Sequence, residues 1–378
     1  MRIAIDATSV PPRPAGAGVY AIQLVTAMAA RDRRDGYALF ARGRWADGVA
    51  AGKPNWRVER VGASSRPARL AWEQARLPGV LHRLGIDVLH STHHTLPVRG
   101  VRCKRVVTVH DLTFLRMPQR YPAARRLYMQ VLTRLAAHVA DKIIVPSLAV
   151  RGDVTRLLGV PAARIAVVYE AAGAGYAPLD RASAEAVARR YGIVSPYVLS
   201  VGSLEPGKNR ARLFRALRRL VDDGIDLRLA VVGQRAWSYE SDLALLDELR
   251  LRDRVVVAGY VPQDDLPALY NAATAFAFPS LYEGFGLPLI EAMACGVPAL
   301  TSNVSATAEV AGDAAVLVDP RSTDEIYGGL RRLLTDAALR VELSRRGRER
   351  AAGFSWRRAA DETHSVYARA LSGALEPV

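Results

Sequence analysis

The stretch P-S-L-Y-E-G-F-G-L-P-L-I-E, residues 279–291, says most about the fold of this chain. It follows an apolar run, 275–278, that has the length and composition of a buried strand. It ends in an apolar segment that is typical of a helix and is closed by Gly296 and Pro298. A strand that leads through glycines into a helix predicts a βα unit of an α/β protein.

Two glutamates flank this predicted helix start: Glu283 precedes it and Glu291 lies inside the helix. The N–H groups of a first helical turn, with the helix dipole behind them, attract an anion such as a diphosphate. Carboxylates on either side can accept hydrogen bonds from the hydroxyls of groups attached to that anion. This layout matches sugar, diphosphate and ribose in a nucleotide-sugar. The competing interpretation is a buried helix with a tight entry turn.

The segment resembles the E-x7-E signature of retaining GT-B glycosyltransferases of family 4. The resemblance implies that Glu291 binds ribose hydroxyls and that Glu283 holds the sugar and diphosphate. It gives the same role to the backbone of the intervening residues, which are Gly284, Phe285, Gly286 and Leu287. It covers almost the whole chain, and it implies transfer with retention of anomeric configuration.

The length, cysteine content and net charge of the chain narrow the possible classes of protein. A length of 378 residues favours two domains. Two cysteines far apart in sequence indicate neither a disulfide framework nor a zinc cluster, and they fit a reducing cytoplasm. No apolar run reaches the length of a membrane span. The net charge of +15 favours anionic ligands, but no nucleic-acid recognition motif accompanies it, so we expect no nucleic-acid partner.

Strand-like and helix-like segments alternate in two series along the chain, which predicts two doubly wound α/β domains. The small, glycine-rich segment 171–178 is the predicted linker. We therefore expect an acceptor-binding domain over 1–172 and a nucleotide-sugar-binding domain over 179–355. The resemblance implies that these Rossmann-like domains face each other across a cleft and that a last helix, 356–378, packs back on the first. The predicted strands are 1–5, 88–90, 105–110, 142–146, 197–201, 227–232, 254–257, 275–278, 298–301 and 315–318, and the predicted helices of the first domain are 19–30, 70–84, 123–140 and 148–158.

A glycine loop lies near the N-terminus, where Gly16 and Gly18 precede a predicted helix. Glycines permit tight turns and a close approach of backbone to a ligand. The family has such a loop over the donor diphosphate, and this one looks similar. The pattern Gly-x-Gly-x-x-Ala also fits a dinucleotide fingerprint, but three prolines separate it from the preceding strand. A nicotinamide-dependent oxidoreductase therefore stays a remote alternative.

One histidine is placed where ligands bind. His110 ends the strand-like run V-V-T-V and opens the motif His-Asp-Leu. Ligands of open α/β sheets bind outside the carboxyl ends of strands. The motif resembles the family's H-D-L, which implies that His110 contacts the transferred sugar. His93 and His94 follow another strand, and there loop packing competes with a role in the acceptor pocket.

A second loop, G-S-L-E-P-G-K-N over 202–209, follows the first strand of the second series. It resembles the family's phosphate-binding loop, which implies that Lys208 neutralises the departing diphosphate. Ser203 stands where the family commonly has an arginine. Either Lys208 works mainly with a helix dipole, or a nearby arginine such as Arg210 or Arg212 compensates.

Less direct signals complete the predicted site. By resemblance, backbone groups at Tyr260 and Val261 read the nucleobase. The chain has no D-x-D triplet, P-loop or G-x-S-x-G elbow, so we expect neither metal nor cofactor. The segment around Arg125, Arg126 and Arg134 is basic and amphipathic, which is typical either of a membrane-surface helix or of an ordinary helix packed on the core.

The sequence therefore predicts a retaining glycosyltransferase that moves a hexose from a nucleotide-sugar to a hydroxyl of a glycan or lipid-linked acceptor. The segment around Lys208 resembles that of family members that use GDP-mannose, which implies this donor. A UDP-hexose is the alternative donor, and a non-transferring GT-B enzyme such as an epimerase is the alternative activity. We expect a cytoplasmic protein that can contact the inner face of the plasma membrane.

Overall fold

The computed structural model describes residues 1–31, 34–236 and 239–376, which form two compact α/β units. Unit 1 comprises Met1–Glu170 together with the C-terminal segment from Ser355. Unit 2 comprises Ala171–Phe354. The boundaries between the units lie close to those drawn from the sequence at 172/179 and 355/356.

Unit 1 is built on a parallel sheet. In its described part seven strands pair in the order β3-β2-β1-β4-β5-β6-β7, with every pair parallel. The strands are β1 Arg2–Asp6, β2 Gly36–Ala41, β3 Trp56–Arg60, β4 Val88–Ser91, β5 Lys104–Thr108, β6 Lys142–Val145 and β7 Ile165–Val167. The sequence-based assignment lacks β2, β3 and β7. The two edge strands, β3 and β7, are short or rich in charge, so they lack the continuous apolar run of a buried parallel strand.

Helices connect these strands, and one of them corrects a prediction. The helices of unit 1 are α1 Ala17–Arg31, α2 Trp45–Ala50, α3 Arg66–Ala75, α4 Leu77–Arg83, α5 Thr113–Arg116, α6 Ala123–Val139, α7 Leu148–Leu158 and α16 Trp356–Ser372. The single helix predicted over 70–84 is two helices, α3 and α4, that meet at Arg76. Pro78 has no N–H to donate to a continuous helix, so the chain restarts there.

The C-terminal helix α16 belongs to unit 1. It begins where Ser355 Oγ accepts a hydrogen bond from the N–H of Arg358. Trp356 meets the ring of Tyr20 edge to face at 5.9 Å between centroids. Further along, the hydroxyl of Tyr367 lies 2.7 Å from Nδ1 of His90 on β4. Ring packing and a buried hydrogen bond therefore fix this helix on the sheet of unit 1.

Unit 2 repeats the architecture. Six strands in its described part pair in the order β10-β9-β8-β11-β12-β13, again all parallel. The strands are β8 Tyr197–Val201, β9 Arg228–Val232, β10 Val255–Gly259, β11 Ala275–Phe278, β12 Ala299–Ser302 and β13 Val316–Val318. The helices are α8 Arg181–Arg190, α9 Arg210–Asp222, α10 Tyr239–Glu248, α11 Leu266–Ala272, α12 Leu287–Ala294, α13 Ser305–Ala311, α14 Thr323–Thr335 and α15 Ala337–Ala352. All six predicted strands of the second series are present.

Strand order reverses once in each sheet. In unit 1 the reversal lies between β1 and β4, and in unit 2 it lies between β8 and β11. The connections on the two sides of such a point leave in opposite directions, which opens a crevice outside the carboxyl ends of the strands. The loops that the sequence marked as functional follow β8 and β11 in unit 2, and β1, β4 and β5 in unit 1.

The buried histidine of β4 makes the stability of unit 1 sensitive to acid. Burial and the charges of His110 and His93 lower the pKa of His90 to about 3. The unfolded chain therefore takes up this proton first, and stability is lost as pH falls from about 6.5 towards 3. We expect His90→Gln to reduce the dependence of unfolding free energy on pH by about 1.4 kcal/mol per pH unit in this range.

Urea unfolding at pH 7, 6 and 5 measures this slope. The control is His82→Gln, which changes an exposed histidine of α4. Equal slopes for the native chain and His90→Gln would contradict the assignment.

Candidate functional site

Two loops lie side by side in unit 2, one after β8 and one after β11, because these strands are neighbours in the sheet. The first runs over 202–209 and the second over 279–286. A direct backbone hydrogen bond joins them, from the N–H of Leu281 to the carbonyl of Gly207 at 3.0 Å. The sheet thus brings together two motifs that are more than 70 residues apart in sequence.

Glycines allow the β8 loop to pack closely against the end of β9. Gly233 has φ +153°, and a Cβ atom there would lie 1.9 Å from the carbonyl oxygen of Gly202. The N–H of Gly202 donates to the carbonyl of Val232 at 2.8 Å. A Cβ on Gly202 would itself lie 3.0 Å from Cε of Lys208. The absence of side chains at both glycines therefore sets the path of the loop and the place of the lysine.

Lys208 and Glu283 form an ion pair. Lys208 Nζ donates to Glu283 Oε1 at 2.6 Å, and the two side chains are only 16% and 14% exposed. The ammonium also lies 5.2 Å from the ring centroid of Phe278. Two residues that the sequence singled out independently are thus direct partners. A bound anion at this point can compete with the carboxylate for the ammonium group.

The start of α12 follows Glu283 directly. Gly286 precedes the helix with φ +104°, which favours glycine, and its carbonyl accepts from the N–H of Leu289 at 2.9 Å. The N–H of Glu283 donates to Ser305 Oγ at 3.1 Å, which ties the turn to α13. Because the N–H of Leu289 is already paired and Pro288 has no N–H, the N–H of Leu287 is the first-turn donor with which this end of α12 can bind an anion.

Glu291 lies one turn inside α12 and is 5% exposed. Its Oε2 accepts a hydrogen bond from the hydroxyl of Tyr270 at 2.9 Å. Burial and the nearby charge of Glu291 raise the pKa of Tyr270 well above its usual value, so the phenol remains a donor. The same two causes, burial first, raise the pKa of Tyr176 and raise that of Cys295 to about 12. Tyr270 is a site residue that sequence reasoning missed, because a tyrosine on an apolar helix resembles ordinary core.

Two arginines near the phosphate loop, Arg210 and Arg212, bind oxygen atoms of the protein itself. Arg210 is 2% exposed, and its guanidinium donates to the carbonyl oxygens of Gly202 and Ser203. Burial lowers the pKa of Arg210 to about 10, so it stays charged at neutral pH. Arg212 donates to Asn209 Oδ1 and to the carbonyl of Arg321. Both arginines hold loop oxygens, whereas Lys208 pairs with the predicted donor residue Glu283.

The remaining donor-site predictions in unit 2 fall at strand ends. Ser203 is half-buried, and its carbonyl accepts from Arg210 Nη1 at 2.7 Å. Tyr260 and Val261 follow β10, whose last residue, Gly259, accepts from the N–H of Gly233 at 2.8 Å. Val261 is 2% exposed, so any contact that it makes with a nucleobase is through its main chain.

In unit 1, His110 follows β5 and is 9% exposed. Its Nε2 lies 2.9 Å from the carbonyl oxygen of Thr92, which can only accept, so Nε2 carries a proton. Nδ1 lies 3.7 Å from a carboxylate oxygen of Glu170, which is itself 4% exposed. The ring of Tyr20 packs edge-on against the imidazole at 4.7 Å. The histidine is therefore held on three sides. Sequence reasoning missed Glu170, because it lies 60 residues away, directly before the predicted linker.

The glycine loop of unit 1 leads directly into α1. Gly16 has φ +49° and is exposed, and its carbonyl accepts from the N–H of Tyr20 at 3.0 Å in the first turn of α1. Gly18 is buried, and a Cβ atom there would lie 3.1 Å from Cδ of Pro11. A side chain at Gly18 would press on Pro11, while Gly16 leaves open space beside the helix start.

A buried polar cluster lies behind the carboxyl ends of β1 and β4. Asp6, Glu73 and His93 bring potential metal-ligand atoms within 4.8 Å of one another. Arg69 Nη1, however, lies 2.7 Å from both Glu73 Oε2 and His93 Nε2. Burial opposes ionisation of Glu73, but His93 and Arg69 together lower its pKa to about 2. A guanidinium already balances this carboxylate, so the cluster does not change the expectation of a metal-free site.

Comparison with known proteins gives the family. A family model described as "Glycosyl transferases group 1" matches residues 191–350, and one described as "Glycosyltransferase Family 4" matches residues 14–171. The chain is 34% identical to O-antigen chain mannosyltransferase B of Escherichia coli over 282 residues, which are 74% of each chain. The protein belongs to glycosyltransferase family 4, and it is a glycosyltransferase.

Solved structures show the same fold. Sucrose-phosphate synthase from Thermosynechococcus elongatus superposes with a TM-score of 0.79 at 22% identity, over 99% of this chain and 100% of that one. HepE of Anabaena in complex with UDP-glucose superposes with a TM-score of 0.75 at 20% identity, again over 99% and 100% of the two chains. The predicted GT-B fold class is thus confirmed, while the individual site residues remain predictions.

The close approach of Gly202 and Gly233 provides a test of how the loop is held. We expect Gly233→Ala to destabilise the protein by roughly 3 kcal/mol or more, because the new methyl group meets a backbone oxygen and φ is strained. The control is Gly224→Ala, where φ is +78° but a Cβ atom would have no neighbour within 4 Å, so strain alone costs about 1 to 2 kcal/mol. Chemical denaturation of the two variants compares these costs. Equal losses would show that the contact between the loops is unimportant.

Proposed function

We propose that this protein transfers mannose, with retention of configuration, from GDP-mannose to a hydroxyl of a glycan or lipid-linked acceptor. One observation carries the donor assignment: the reversal point of the unit 2 sheet assembles the start of α12, the ion pair of Lys208 with Glu283, and the buried Glu291. A helix start, a lysine ammonium group and two carboxylates provide the contacts that a nucleotide-sugar requires.

Each group has a role in this proposal. Lys208 leaves Glu283 for the diphosphate and stabilises the charge that develops on it. The freed Glu283 accepts hydrogen bonds from the sugar, together with the backbone of Gly284–Leu287. Glu291 accepts hydrogen bonds from the ribose hydroxyls, with Tyr270 holding one of its oxygens. In unit 1, His110 contacts the transferred sugar.

The proposed glycosyl transfer needs neither a metal ion nor a redox partner. The bond between the anomeric carbon and the diphosphate oxygen breaks through an oxocarbenium-like transition state, and the electron pair leaves with the nucleoside diphosphate. The acceptor hydroxyl attacks from the same face, and its proton passes to the departing phosphate oxygen. Positive charge at Lys208 and the dipole of α12 lower the barrier by stabilising the leaving group.

Mannose is proposed because the sequence around Lys208 resembles mannosyltransferases and because the Escherichia coli relative is named as one. A UDP-hexose is the second candidate donor, since HepE shares the fold and its structure contains UDP-glucose. The nucleobase contacts proposed at Tyr260 and Val261 are main-chain contacts. The identity of these side chains therefore does not distinguish GDP-mannose from a UDP-hexose, and a binding experiment is needed.

Nucleotide binding tests the donor site. In a thermal-shift panel with GDP, UDP, ADP, dTDP and NAD, a ligand at 100 times its Kd stabilises the fold by about 2.7 kcal/mol. We expect one nucleoside diphosphate, GDP first, to do so, and EDTA to leave the shift unchanged. Glu291→Ala should weaken its binding at least about tenfold, because a charged hydrogen-bond acceptor is lost.

The control is Glu248→Ala, at an exposed position of α10. A response to NAD alone, or to no nucleotide, would refute the donor assignment. Turnover of the nucleotide-sugar without any acceptor would favour an epimerase, whereas release of nucleoside diphosphate that requires an acceptor supports transfer.

We further propose that α6 contacts an anionic membrane surface. Leu127, Val131 and Leu135 form an exposed apolar stripe on this helix, at 62%, 45% and 40% exposure. Arg126 and Arg134 lie on the same helix. Arg116, in contrast, pairs with the buried Asp153 and has a structural role. Among the residues that the structure describes, no helix combines the length and apolar character needed to cross a bilayer.

Sedimentation with vesicles tests this contact. We expect binding to phosphatidylcholine vesicles that contain phosphatidylglycerol and little binding to phosphatidylcholine alone, because the arginines require anionic lipid. Leu127→Ser with Val131→Ser should abolish it. Val341→Ser, at a residue of α15 that is 72% exposed, is the control. Binding that survives the α6 substitutions would exclude this helix as the contact.

A further inference from the structure

Unit 1 contains a cavity of about 270 Å³ that is rich in arginine. Arg42 follows β2, Arg66 and Arg69 lie on α3, and Arg125 lies on α6. Among the described residues that line the cavity, none is acidic. Three segments that are remote in sequence thus contribute four arginines to the lining of one cavity. The cavity is far larger than a single water molecule, which occupies about 30 Å³.

Two of these arginines, Arg69 and Arg42, have partners of different charge. Arg69 donates to Glu73 Oε2 at 2.7 Å, so its charge is compensated. Arg42 instead donates to the carbonyl oxygens of Thr8 and Ala63, at 2.6 and 3.1 Å. Burial and the like charge of Arg69 lower the pKa of Arg42, although the carboxylate of Asp6 acts in the opposite direction. These cations repel one another, and an anion in the cavity would relieve the repulsion.

Two further polar groups of the lining are buried and unsatisfied. Thr133 is 1% exposed and His93 is 7% exposed. Thr133 Oγ1 and His93 Nδ1 have no hydrogen-bond partner in the described structure. Buried polar atoms are almost always paired, so such atoms on a cavity wall mark where a ligand or ordered water bonds. Both residues belong to the lining of the cavity, and their unpaired atoms are an observation independent of the charge.

We propose that this cavity binds a phosphate group of the acceptor, as a phosphomonoester or a diphosphate ester. Several guanidinium groups around one space suit the oxygens of a phosphate, which accept paired N–H donors. This inference rests on the proposed transfer reaction, and it assigns to unit 1 an anion site separate from the donor site of unit 2.

The lining also has an apolar side. Tyr128, Met129 and Leu132 contribute to it from α6, the helix whose exposed stripe includes Leu127 and Val131. An acceptor that joins its phosphate to a lipid would therefore find apolar surface on the same helix. A soluble sugar phosphate would use the arginines alone, and the two sources can be separated experimentally.

Calorimetry on the full chain tests the proposal with three probes: octyl α-mannoside, mannose 1-phosphate and a prenyl diphosphomannose in detergent. The nucleoside diphosphate identified by the thermal-shift panel is kept saturating, so that phosphate probes cannot occupy the donor site. We expect at least one phosphate-bearing probe to bind about tenfold more tightly than octyl mannoside, through charge-assisted hydrogen bonds. Tight binding of mannose 1-phosphate indicates recognition of phosphate alone, whereas tight binding of the prenyl probe only indicates a lipid-linked source.

Arg66→Gln is the first variant, because Arg66 is exposed at the start of α3 and its loss should not impair folding. Arg42→Gln/Arg66→Gln should weaken phosphate-dependent binding at least about tenfold. The control Arg99→Gln/Arg102→Gln removes the same charge from exposed positions of unit 1. The proposal is overturned if the phosphate-bearing probes bind no better than octyl mannoside, or if pocket and control variants bind alike. Failure of every nucleotide in the panel would instead refute the donor assignment.

Discussion

Parallel strand pairing is the constraint on which both units depend. Every strand pair in the two sheets is parallel, so all carboxyl ends of a sheet lie along one edge. A reversal of strand order then opens a crevice at one point of that edge. The loops after β8 and β11 meet there in unit 2, and those after β1 and β4 meet there in unit 1. Residues far apart in sequence become neighbours without any loop having to be long.

Close backbone packing at the unit 2 reversal point determines how its charges are arranged. Because Gly202 and Gly233 carry no Cβ, the phosphate loop can lie against the end of β9. Arg210 then fixes the loop, because its buried guanidinium donates hydrogen bonds to the loop's carbonyl oxygens. Lys208 is left to pair with Glu283, an ion pair that is mostly shielded from water. A shielded pair of this kind interacts strongly yet can exchange one partner for an incoming anion.

The charged residues of unit 1 are arranged differently from those of unit 2. Its polar residues form a buried network in which Arg69 balances Glu73, while the neighbouring Arg42 is held by neutral carbonyls. Close by, His110 is oriented by a carbonyl and a buried carboxylate. Unit 2 thus offers an ion pair beside a helix start, whereas unit 1 offers a cavity lined by four arginines. The two arrangements suit different anions, which is consistent with a protein that binds two substrates.

The sequence by itself determined the fold class, the second sheet and the motifs at strand ends, because apolar periodicity and glycine placement are local properties that chain order preserves. It missed the charged edge strand β3 and the break at Pro78. At both places the local sequence pattern is weak, and packing against the rest of unit 1 determines the structure. Tertiary structure alone decided the partners: Tyr270 for Glu291 and the arginines that share a cavity. Side-chain contacts between remote segments depend on how the helices pack against the sheets. A local sequence pattern contains no information on that packing.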